Sequence, residues 1–185
     1  MGIPTLIKTL TASNSASLAF VDGAADVTLD STYDEYMFVF TDIGPASNNP
    51  DFTFQVNATD DAGGGYDTSL ITSTTWRAYH DEADSSAAIA YQTSQDQAQA
   101  AGYQVIAHYI DYDADTSCAV IMHLFSPSST TYVKHFYSRF DAVANDTVND
   151  WFTAGYINDT TAIDEISFKM TTGNFDGVIQ LYGIA

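Results

Sequence analysis

The chain has 185 residues, of which 24 are Asp or Glu and 5 are Lys or Arg, for a formal net charge of −19 at pH 7. Five cations cannot build a phosphate-binding surface, so nucleic acid and anionic membrane surfaces are excluded as partners. The length suits one domain of about 150 residues or slightly more, with its own core, and the lone cysteine, Cys118, allows no intrachain disulfide.

In chain order, residues 1–8 lack the basic start and apolar run of a signal peptide. Residues 9–17 are small, polar and rich in Ser, Thr and Ala. An N-terminal arm is therefore expected over 1–12, ahead of a domain over 13–185, with Ile3, Pro4, Leu6 and Ile7 docking the arm onto a partner. Period-two alternation then begins. Tyr36, Phe38 and Phe40 share one face of a run, and Phe52, Phe54 and Val56 alternate with polar neighbours. Further on, Cys118, Val120, Met122 and Leu124 share a face, followed by Phe136 and Phe140, then by Ile166, Phe168 and Met170. These β-branched and aromatic runs are separated by Gly, Pro and Asn turn signals, such as Asn48-Asn49-Pro50 and Thr172-Gly173-Asn174. Nine or ten short strands so spaced predict an all-β fold, a single antiparallel β-sandwich of jelly-roll type. Residues 83–102 break the pattern; their Ala and Gln content predicts one short helix or a long loop. In the last run Val178 and Tyr182 face one way and Ile179 and Leu181 the other, so the strand is covered on both faces.

Few residues suggest chemistry. Asp111, Asp113 and Asp115 stand at i, i+2 and i+4, where carboxylates can surround a hard cation. Thr116 stands where a calcium loop wants Gly, and Met122 where it wants Glu. A loose calcium site and a polar hairpin are the two readings of this triad. His80-Asp81-Glu82 with Asp84 reads as a solvated acidic turn or as a site, and the acidic, glycine-rich stretch 60–67 reads as a hairpin loop. Cys118 sits in phase with apolar neighbours and reads as a small buried hydrophobe. His108, His123 and His135 lie in strand-like runs and read as core or interface histidines. No nucleophile elbow occurs, so no catalytic residue and no cofactor other than calcium is expected. Tyr33, Tyr36, Tyr66, Tyr79, Tyr91, Tyr103 and Tyr112 fall near run ends, where tyrosines serve the core, interfaces or sugar-binding faces.

The C-terminal stretch Ile166-Ser167-Phe168-Lys169-Met170 continues through Gly173-Asn174 and Gly177 to Leu181-Tyr182-Gly183-Ile184. It resembles the closing hairpin of a family of virion structural proteins from tailed bacteriophages, marine ones especially. Residues 3–10, 33–40, 76–80 and 124–131 carry the likeness over nearly the whole chain; Thr172 stands where that family has Ser. The resemblance implies a location on the phage particle surface, with synthesis in the host cytoplasm, and assembly in place of catalysis. An outer capsid decoration or head-fibre subunit is the first expectation, a homo-oligomer, trimeric by analogy, bound to other virion proteins such as the major capsid or tail proteins. A tail or vertex module that binds a host glycan is the alternative, and an enzyme on polysaccharide a distant third. The acidic, low-charge composition suits a salty medium.

Overall fold

The structure, a computed structural model, describes residues 2–60, 66, 68–144 and 146–185. The glycine-rich part of the acidic stretch, 61–65, lies outside them, as does Asp67. Thirteen strands are described: β1 (Thr5–Ser15), β2 (Leu18–Val21), β3 (Glu35–Pro45), β4 (Phe52–Ala58), β5 (Ile71–Asp81), β6 (Ala87–Tyr91), β7 (Ala98–Ala100), β8 (Gln104–Ala107), β9 (Cys118–Phe125), β10 (Lys134–Ala144), β11 (Thr147–Ile157), β12 (Ile163–Met170) and β13 (Phe175–Ile184). Among the described residues there is no helix, and so none long and apolar enough to cross a membrane.

The strands form a nine-stranded sheet in the order β1-β13-β3-β9-β10-β11-β5-β6, with β7 also on β5, and a four-stranded sheet in the order β2-β12-β4-β8. Every pairing is antiparallel. Pairs nest from the chain ends inward: β1 with β13, β2 with β12, β3 with β9, β4 with β8, β5 with β6. Successive nested pairs alternate between the large and the small sheet. One long antiparallel ribbon is thus rolled on itself, the jelly-roll wrap, and the expected β-sandwich is what the chain forms. The β10–β11 hairpin is added in the large sheet between β9 and β5.

The core is the layer of alternate residues between the sheets. Phe168 of β12 sits at its centre, with ring centroids of Phe40, Phe38 and Phe52 at 4.9, 5.3 and 6.2 Å. Phe20 and Phe54 complete the ring cluster from the small sheet. Cys118, Val120, Met122 and Leu124 are all buried, in the phase the sequence predicts.

Four expectations change. Residues 83–102 are neither a helix nor a plain loop, because β6 and β7 pair with β5 at the open edge of the large sheet. Residues 1–12 do not stand apart from the domain. From Thr5 onward they form edge strand β1, hydrogen-bonded along β13, with Ile7 and Leu10 packed against the core while Ile3 and Leu6 stay exposed. The Thr171–Phe175 connection is not a hairpin within one sheet; β12 lies in the small sheet and β13 in the large one. Gly173, at φ +74°, makes that crossing turn, whereas Gly177, at φ +134°, sits within β13 at a register shift against β3. There its α-carbon lies so close to Asp42 and Ile43 that a β-carbon would meet the Asp42 carbonyl oxygen at 2.8 Å. Finally, β4 is buried on both faces. Gln55 turns outward, and its Nε2 donates to the carbonyls of Ser69, Ala101 and Gly102, so the covering segment is tied down by amide bonds.

Candidate functional site

Three features of the surface stand out, and the first two follow from strand parity. The first is the outer face of the large sheet. One cross-strand row runs Val39, Ile121, Arg139, Phe152, Trp76, Tyr91, from β3 to β6. Trp76 stacks on Phe152 with centroids 4.3 Å apart and planes 11° from parallel. Arg139 lies over the same Phe152 ring at 5.0 Å and holds Asp150 through two parallel bonds of 2.9 and 2.8 Å. The adjoining row pairs His123 with Tyr137 in a stack at 4.6 Å, and His123 also bonds Glu35. Ile89 is 78% exposed, Tyr91 54% and Ile121 45%, with Tyr137, Val143 and Val148 similar. A depression of about 390 Å³ opens on this face between Val39, Ile121, Arg139 and Asp141. Most sheet faces turned to solvent alternate to polar residues; this one keeps aliphatic and aromatic groups there, set around the Arg139–Asp150 and His123–Glu35 pairs.

The second feature is a cavity of about 320 Å³ at the inner margin of the large sheet. The long strands β5 and β11 face it with Arg77, Tyr79, Asn149 and Trp151, which the register sets opposite one another as Trp151–Arg77 and Asn149–Tyr79. His108 and Tyr109, just after β8, form the other wall. Arg77 lies over the Tyr79 ring at 4.5 Å and the Trp151 ring at 5.5 Å, and its Nη1 donates to Asn149 Oδ1 at 3.3 Å. His108 Nδ1 is 2.7 Å from Asp51 Oδ1, which also accepts the Tyr109 backbone N–H. The carboxylate accepts the bond, so Nδ1 carries the proton. Trp151 is 3% exposed, and among the described residues neither its Nε1 nor the Arg77 Nε has a hydrogen-bond partner.

The third feature is an acidic depression of about 440 Å³ lined by Glu82, Asp111, Asp113, Asp115 and Asp146. The structure does gather the three expected metal ligands here. Among the described residues, however, no three His, Cys, Asp or Glu groups are disposed to hold a metal ion. Asp111 accepts the Tyr112 N–H, and the Asp113 carbonyl accepts from both the N–H and the hydroxyl of Thr116, so the triad sits in local turns. Those turns are not the expected polar hairpin, because they join β8 of the small sheet to β9 of the large one.

The remaining sequence candidates fall into structural places. His80 is exposed and lies 3.2 Å from Asp84 across the β5–β6 turn. Asp81 caps that turn, accepting from Ser85 and Ser86, and the Ser85 bonds hold its carboxyl below the usual carboxylate range. Burial pushes the Cys118 thiol far up, so it stays protonated. Tyr36 is fully buried and donates to the Asp30 carbonyl. The Arg77–Trp151 cavity was not foreseen: Arg77 and Tyr79 at i, i+2 and Asn149 and Trp151 at i, i+2 each signal a shared face, but only the pairing of β5 with β11 brings the two together. Comparison with family models, with curated proteins and with solved structures finds no match to this chain.

Proposed function

We propose that this protein is a structural component of a bacteriophage particle that works by assembly, with the outer face of the large sheet as its assembly surface. The observation that carries the reading is the exposed row from Val39 to Tyr91 with its Trp76–Phe152–Arg139 stack. Trp, Tyr and Arg are the residue types that anchor protein interfaces, and contiguous apolar surface on a soluble fold marks a contact. The C-terminal likeness to phage virion proteins supplies the kind of particle. A decoration or head-fibre subunit, assembled as a homo-oligomer on other virion proteins, is the form this reading takes. No reaction is part of this reading.

The test is incorporation. Particles produced with a Trp76→Ser/Ile121→Ser variant in place of the natural chain are purified and probed for it. Both side chains point to solvent, so the variant keeps its fold, checked by circular dichroism and thermal melting. The reading expects folded variant left in the lysate and absent from particles. Variant incorporated at the natural level overturns the assigned surface.

A further inference from the structure

The cavity between β5, β11 and the His108–Tyr109 segment uses none of the outer sheet face, so what it binds is a separate question from assembly. Its chemistry is specific. Arg77 carries a permanent charge and a planar fork of donors that matches a carboxylate. Its Nη1 bond goes to the neutral amide of Asn149, and no carboxylate of the described residues lies within ion-pair distance of it, in a chain with 24 of them. Among the described residues its Nε has no acceptor and is closed to water, so a ligand in the cavity meets the guanidinium through its Nη atoms. The walls are the aromatic rings of Tyr79, Tyr109 and Trp151, which suit the C–H faces of a sugar. His108 turns its Nδ1 to Asp51, which leaves Nε2 as the ring nitrogen that can bond a hydroxyl.

We propose that this cavity is a binding site for a single carboxylated sugar residue of the hexuronate type, its carboxylate on Arg77, its ring against Tyr109, and a hydroxyl on His108. A volume of about 320 Å³ is at the small end of ligand sites, enough for one monosaccharide. The net charge of −19 disfavours a polyanion, which confines recognition to one anionic residue or chain end. A bare phosphate or acetate would satisfy the guanidinium and leave the rings and His108 unserved.

The experiment is a titration of the full chain with sodium D-glucuronate at pH 7 and physiological salt, followed by the indole N–H resonances in 1H–15N spectra. The chain has two tryptophans, and Trp76→Phe assigns the pair. The expected result is a saturable shift of the Trp151 signal with a dissociation constant of about millimolar, with D-glucose, acetate and inorganic phosphate each at least about tenfold weaker. Arg77→Met weakens glucuronate about tenfold or more. Tyr109 is exposed and follows β8, so Tyr109→Ala folds even where Arg77→Met does not, and it weakens binding severalfold. No shift at about 50 mM glucuronate overturns the site altogether. Equal shifts with glucose remove the role of Arg77, equal shifts with phosphate remove the sugar, and undiminished binding by Tyr109→Ala removes this cavity; each outcome overturns the proposal.

Discussion

Replacing Gly183 with alanine isolates one steric requirement of the C-terminal segment. Gly183 is in β13 with no positive φ, so alanine incurs no backbone strain there. What it meets is the Tyr33 ring: a β-carbon would lie 2.3 to 2.5 Å from three of its carbons, far inside contact distance. β13 is held on both sides, by β1 and β3, so the ring must move. Tyr33 is half-buried and packs edge-on against the fully buried Tyr36 at 5.8 Å. Re-exposing about 100 Å² of ring, at about 25 cal/mol per Å², costs about 2.5 kcal/mol. The lost aromatic pair adds about 0.5–1.5 kcal/mol. Gly183→Ala is therefore expected to destabilise by about 3–4 kcal/mol and to lower Tm by roughly 6–16 °C. Chemical denaturation of the single variants and of Gly183→Ala/Tyr33→Ala makes the cycle. Tyr33→Ala alone loses a similar amount, and the double variant loses little more than either, because the ring is already gone. Additive losses, or a Gly183→Ala cost below about 0.5 kcal/mol, would refute the steric argument.

The surface charges make further predictions. Burial raises the Asp164 carboxyl above its usual range, helped by the neighbouring Glu165 charge, and its Oδ1 has no partner among the described residues. Between the unfolded and the folded pKa the folded state binds more protons, so this group lowers stability as pH rises through that window and is a full liability at neutral pH. Asp164→Asn should raise Tm by about 1–3 °C at pH 7 and by nothing near pH 3; an equal gain at both would show that the charge is not the cause. The net charge of −19 and the five carboxylates around Asp113 repel one another. Raising sodium chloride from 0.01 to 1 M shortens screening from about 30 to about 3 Å, so Tm should climb by several degrees. A flat or falling Tm would contradict this. Calcium chloride at equal ionic strength should give the same climb, and an excess removed by Asp113→Asn would place an ion at Asp111, Asp113 and Asp115.

Strands that bury one face were legible because burial imposes a period of two: Tyr36–Phe40, Cys118–Leu124 and Phe136–Phe140 keep their phase in the structure. Edge strands were not. Strand β1 buries only Ala12 and β6 buries nothing, so neither carries an alternating pattern, and they read as an arm and as an Ala-rich break. β4 was half legible: its Phe face was clear, while Gln55 on the other face gave no sign of the carbonyls 14 to 47 residues away that it meets. The cavity was illegible for the same reason, since Arg77 and Trp151 are cross-strand neighbours 74 residues apart in the chain. The acidic triad was visible by spacing, but spacing does not report whether carboxylates converge.

The account's central claim is that this chain is a built-in part of a virion. Its most direct test is the copy number of the chain in purified phage particles, measured by quantitative mass spectrometry against the major capsid protein. The account predicts copies in a simple ratio to the capsid lattice, retained through density-gradient purification. Particles that contain none of the chain would contradict it.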